Sequence, residues 1–203
     1  MAYSNNVFIN CPFDQDYFPL LRPLLFTAIY CGLNPKISQT TDSDNVRVEE
    51  IKKLIYDSKY SIHDLSRIEP KSQTDLPRFN MPFELGIDVG CKTFSSRKDK
   101  RYLVLEEKPY RYKEVLSDIS GQDIKAHESK PINVVKAMRD WIKGLKADKK
   151  IDNYQIIWET YNEFYYDYET ELRKDNMNPD NIWEIPFSEL IEIIKTWIKN
   201  YKK

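Results

Sequence analysis

Tyr60-Ser61-Ile62-His63-Asp64-Leu65-Ser66-Arg67 is a short, mainly apolar run that breaks at once into charged and hydroxylic residues. Such a run reads as a strand of a mainly parallel sheet, and its polar end as the loop beyond the strand's carboxyl terminus. Upstream, Val7-Phe8-Ile9 gives a first strand of the same kind. A helix from about Tyr17 to Tyr30 follows, with Leu21, Leu24, Leu25, Ala28 and Ile29 at helical spacing and Gly32 as its stop. Lys36-Ile37-Ser38 gives a second strand. The polar Gln39–Asn45 loop then leads to a helix from about Val46 to Asp57. Downstream come a helix from Phe83 to about Lys92, a charged linker Ser95–Lys100 and a fourth strand, Tyr102-Leu103-Val104-Leu105.

Strands alternating with helices predict an α/β fold. The simplest arrangement is a flavodoxin-like three-layer sandwich with a central, mainly parallel sheet. Beyond Lys108 the pattern changes: Tyr110–Lys130 is irregular, with a turn at Gly121. Helices then follow over about Pro131–Lys146, Asn153–Arg173 and Phe187–Tyr201. The organisation expected is an α/β domain over 1–127 and a helical C-terminal extension over 128–203 packed on it. The large aromatics of Tyr154–Tyr166 read as packing rather than as a cofactor box.

Composition narrows the function classes. The 203 residues hold 31 basic and 32 acidic side chains, so no basic stripe is available to wrap a phosphate backbone, and nucleic acid is not an expected partner. No apolar run is long enough to span a bilayer, and the N-terminus lacks a signal-like pattern, so a cytoplasmic protein without a membrane partner is expected. Cys11, Cys31 and Cys91 lack CxxC spacing and read as buried thiols. With His63 and His127 the only histidines, a histidine-rich metal centre is not expected.

The candidate chemistry lies where the strands end, because ligands of open parallel sheets bind outside the carboxyl ends of the strands. The first strand empties into Asn10, Cys11, Pro12, Phe13 and Asp14; the second into Asp42, Ser43 and Asp44, followed by Arg47; the third into Asp64 and Ser66. Arg78, Phe79 and Asn80 lead into Glu84. Asn80 is a good N-cap and Pro82 suits a first turn, which puts Glu84 near the positive helix end, where the ionised form is favoured. Acids for hydroxyls, an arginine for phosphate and a ring for stacking match a ribonucleotide. Asp14 reads equally as a helix cap, and Asp44 as a solvated loop acid or cap. Arg47, early in a helix, is at the wrong end for a structural charge and faces an anion on this reading. His63 reads as a satisfied core histidine. The five glycines form neither a Walker loop nor a GxGxxG cluster.

Val7–Asp14, Tyr60–Arg67 and Asn80-Met81-Pro82-Phe83-Glu84-Leu85-Gly86 together resemble bacterial TIR-like proteins and the related nucleoside 2-deoxyribosyltransferases, over roughly residues 5 to 127. The resemblance implies a flavodoxin-like sheet and cleavage of a ribose–base bond by a helix-borne glutamate, with Glu84-Leu85-Gly86 as that motif. Arg78-Phe79-Asn80 stands where the transferases carry Asp-x-Gly, a departure that counts against deoxyribosyl transfer.

The implied activity is N-glycosidic cleavage or cyclisation of NAD or a related nucleotide, as substrate rather than cofactor, in the setting of antiphage defence. Glu84 would stabilise or capture the oxocarbenium-like centre, and the loop with Asn10 and Pro12 would hold base and ribose. Phe13 would stack, Asp64 and Ser66 would take ribose hydroxyls, and Arg47 or Arg78 the phosphates. A homo-oligomer and a partner effector or sensor protein are the associations implied. The alternatives are a non-enzymatic nucleotide-sensing or self-assembling module, with the Asp118–His127 segment and the aromatic helices as contact surfaces, and a 2-deoxyribosyltransferase.

Overall fold

A computed structural model describes residues 3–38, 47–68, 70, 76–111, 114, 116–119, 124–174 and 185–201. Asp42, Ser43 and Asp44, with the rest of the Gln39–Asn45 loop, lie outside the described residues, as does Gly121. Residue contacts divide the chain into two compact units. One comprises Met1–Phe13 and Leu33–Ser129, the other Asp14–Gly32 and Lys130–Lys203. The helix after the first strand is thus grouped with the C-terminal helices, and the division near the C-terminal side falls at 129/130.

The first unit is built on five parallel strands: β1 (Asn6–Asn10), β2 (Asn34–Lys36), β3 (Tyr60–Asp64), β4 (Arg101–Glu106) and β5 (Lys125–Ala126). Their order is β2-β1-β3-β4-β5, the flavodoxin-like doubly wound order. Residues of β1 and β3 are buried throughout, so neither strand shows the alternation of a half-exposed sheet. The expected second strand is displaced. Asn34–Lys36 pairs with Asn6–Phe8, and Asn34 Nδ2 donates to Asn6 Oδ1 at 2.9 Å, so a side-chain bond helps fix the register. Pro35 is tolerated there because β2 is an edge strand. The fifth strand, not expected from the sequence, is only two residues long and pairs with Leu105 and Glu106.

Helices α2 (Arg47–Tyr56) and α3 (Asn80–Phe94) belong to the same unit. Phe8 packs with Ile51 and Ile55 of α2, and Ile87 and Cys91 of α3 close the cluster. A second cluster joins Met81 and Leu85 of α3 to Leu65, Ile68 and Val104. Each fully buried aliphatic side chain of this kind contributes about 1.5–3 kcal/mol, which holds the start of α3 against the ends of β3 and β4.

The second unit contains α1 (Phe18–Tyr30), α4 (Pro131–Leu145), α5 (Tyr154–Lys174) and α6 (Phe187–Tyr201). Gly32, at φ +78°, takes the left-handed conformation that ends α1, and its N–H donates to the Ile29 carbonyl at 2.9 Å. Phe26 is fully buried, with Tyr161, Phe164 and Trp197 ring centroids 5.6, 5.5 and 6.1 Å away. Tyr161, Phe164 and Tyr168 of α5 therefore serve packing, as expected for a segment rich in large aromatics, whereas Tyr166 is exposed. Phe26→Leu keeps most of the volume but loses the ring contacts, so urea denaturation should register a loss of about 1–2 kcal/mol in this unit. Among the described residues no helix is long and apolar enough to cross a membrane.

Candidate active site

The strand order reverses between β1 and β3, and in open α/β sheets the region outside the carboxyl ends of the strands at such a point is where ligands generally bind. Asn10 ends β1 there. Its Nδ2 donates to the Met81 carbonyl at 3.0 Å and to His63 Nδ1 at 2.9 Å, which ties the strand end to the first turn of α3. Glu84 is three residues on from Met81 and so lies on the same helix face. It is only 7% exposed, and its carboxyl has no hydrogen-bond partner among the described residues.

Burial pushes the Glu84 carboxyl up to about 7, and the positive charge of Arg47, the first residue of α2, works in the opposite direction. Two expectations are corrected here. Helix α3 begins at Asn80 itself, its cap residue Phe79 makes no side-chain capping bond, and exposed Asn80 is not the N-cap. The first-turn acid therefore disappears: Glu84 is the fifth helical residue, and desolvation outweighs any favour from the helix end. Its carboxyl divides between acid and base near neutral pH instead of remaining ionised.

Behind Asn10 lies a chain of wholly buried polar groups. His63 Nε2 is 3.0 Å from Asp88 Oδ2, and Lys100 Nζ is 3.0 Å from Asp88 Oδ1. The second approach is a charge contact without hydrogen-bond geometry. Lys100 also donates to the carbonyls of Ile55 and Ser58, at 2.7 and 2.5 Å. His63, Asp88 and Lys100 are each 0% exposed. Burial acts to raise Asp88, but its bond to His63 and the charge of Lys100 outweigh this and hold it below the usual carboxylate range. His63 is thus the satisfied core histidine that its sequence position suggests.

Asp64, also wholly buried, forms a second cluster at the end of β3. Its Oδ1 accepts from the Ser66 N–H at 2.9 Å and from the Ser66 hydroxyl, and its Oδ2 is 3.1 Å from His127 Nε2. His127 Nε2 also lies 2.8 Å from Ser66 Oγ. A serine, a histidine and an aspartate so placed invite comparison with a nucleophilic triad, and the geometry argues against one. His127 Nδ1 accepts from the Ser129 N–H at 3.0 Å, so the ring proton sits on Nε2, and that nitrogen cannot take the Ser66 proton. The cluster instead pins the short β5 to β3. A fluorophosphonate probe followed by peptide mass spectrometry should leave Ser66 unmodified; labelling there would overturn this assignment.

Of the other candidate residues, Pro12 is buried and Phe13 half-buried directly after Asn10. Asp14 belongs to the second unit, where its Oδ1 accepts from the Tyr17 N–H at 3.1 Å in the turn before α1. Arg78 is exposed, and its N–H closes a loop onto the Arg67 carbonyl at 2.8 Å. Asn10 is thus tied to the first turn of α3, Glu84 feels the charge of Arg47, and Asp64 is bonded to Ser66. Lys100, Asp88 and His127 enter the site's support without having been singled out in the sequence. Among the described residues no group of three or more His, Cys, Asp or Glu could hold a metal ion. Comparisons of the chain with protein-family models, with curated proteins and with solved structures find no match.

Proposed function

We propose that the first unit cleaves the N-glycosidic bond of a nucleotide in the crevice at the ends of β1 and β3. The observation that carries this reading is a nearly buried carboxyl, Glu84, raised to about 7 beside the switch point and under the charge of Arg47. A carboxyl poised near the working pH serves as an acid and then as a base in one cycle. In its acid form it delivers its proton to the departing base as the C1′–N bond breaks and the electron pair leaves with the nitrogen. The carboxylate then accepts a proton from the water that adds to C1′, giving free base and ribose phosphate. Arg47 supplies a cation for the phosphate.

The test incubates the protein and its Glu84→Gln variant at high concentration with NAD, NADP, ATP, CMP and deoxynucleosides, and follows free base by chromatography and mass spectrometry. Loss of at least about 100-fold in base release is expected on removing the acid–base group. Nucleotide binding without product, equal in both proteins, would replace this reading with a sensing module. The pH profile adds a second check. Release of an uncharged nucleobase needs the proton, so its rate should fall as pH rises through about 7. Nicotinamide departs from a cationic riboside as a neutral molecule, and its release should lack that decline.

A further inference from the structure

We propose that Asn10 is a fixed hydrogen-bond acceptor in the proposed crevice, selecting nucleotides that present a hydrogen-bond donor to it, and that buried His63, Asp88 and Lys100 fix its polarity. The inference rests on the proposed nucleotide crevice and names what that crevice reads.

The polarity follows from two independent constraints on one amide. The Met81 carbonyl can only accept, so the Asn10 atom 3.0 Å from it must be the NH2 group. The same Nδ2 atom is 2.9 Å from His63 Nδ1, which must therefore be unprotonated. The far side of the ring agrees. His63 Nε2 faces Asp88 Oδ2 at 3.0 Å, an acceptor kept ionised by Lys100 at 3.0 Å, so the ring proton is held on Nε2. Lys100 is positioned in turn by the Ile55 and Ser58 carbonyls. Rotating the Asn10 amide would set its oxygen against the Met81 carbonyl and against the Nδ1 lone pair at once.

Both Nδ2 hydrogens are thus committed inside the protein, and Oδ1 has no partner among the described residues. A free asparagine turns its amide to suit either a donor or an acceptor; this one does not. The chemistry it takes is a ribose hydroxyl or an exocyclic amino group. Asn10 is the specificity residue and His63 a positioning residue.

The experiment uses the full chain with Glu84→Gln, so that ligands persist, and measures binding of AMP, 2′-deoxy-AMP, 3′-deoxy-AMP and IMP by titration calorimetry. One of the three analogues should bind about tenfold or more weaker than AMP, since it leaves a buried acceptor unpaired. The weak analogue names the donor, and Asn10→Ala should bring the four ligands within about threefold of one another. Equal binding of all four to the Glu84→Gln protein, or of none, overturns the proposal.

A second measurement needs no variant at Asn10: nitrogen shifts of the histidine rings in the unaltered protein should show His63 Nδ1 unprotonated and Nε2 protonated, and a proton on Nδ1 would overturn it. Base release by the unaltered protein without discrimination among the ligands would sink the acceptor and leave the glycosidase. Discrimination without any base release would do the reverse.

Discussion

Lys100→Met should destabilise the sheet unit by about 3–5 kcal/mol, because it leaves the Asp88 carboxylate buried without its cation. The methionine fills most of the space, so the cost is electrostatic rather than a cavity. Asp88 is 0% exposed, and its remaining partner, His63, supplies a hydrogen bond but no fixed charge. The carbonyls of Ile55 and Ser58 lose their donor as well. Adding Asp88→Asn to Lys100→Met removes the orphaned charge while keeping an oxygen for His63 Nε2, so at least half the loss should return. Urea denaturation at pH 7 measures both. A loss under about 1 kcal/mol in the single variant would mean that Asp88 takes up a proton or reaches solvent at little cost.

Glu84→Gln should have the opposite effect on stability, and only at higher pH. Burial raises Glu84 from its ordinary value of 4.5 to about 7. The folded state therefore holds that proton more tightly than the unfolded chain. Its contribution is complete below about pH 4.5 and is lost as pH rises through about 7. A neutral glutamine escapes this loss. The variant should match the parent near pH 4 and exceed it by on the order of 3 kcal/mol above pH 8. Denaturation midpoints across that range decide the point, and parallel curves for the two proteins would show Glu84 to be ordinarily solvated. With the expected loss of base release, the combination is that of a site where stability has been given up for a poised group.

What the sequence conveyed follows from which forces are local. β1, β3 and β4 are apolar runs with polar ends, and the helices carry their apolar faces at regular spacing, so their placement was legible. Asn34-Pro35-Lys36 has none of the β-branched character that marks a strand, and its pairing depends on Asn6, far away in the chain. β5 is too short for any periodicity, and it is held by His127 meeting Asp64. Glu84 could be singled out from its motif. Its charge state could not be, because the desolvation that sets it comes from side chains brought over by folding. Lys100 is the extreme instance: it ends a charged linker, yet is 0% exposed.

The helical unit is discontinuous in the chain, with α1 at Phe18–Tyr30 and its partners after Lys130. During synthesis α1 leaves the ribosome about 100 residues ahead of α4, an interval of roughly 5–20 s at ordinary elongation rates. Leu21, Leu24, Leu25 and Phe26, wholly buried in the finished protein, have no completed bundle to join in that time. The nascent chain must carry an unsatisfied apolar helix while the sheet is being made, which is where a holding chaperone would act. A chain cut short after β5 would leave α1 without α4, α5 and α6, so truncation is expected to promote aggregation.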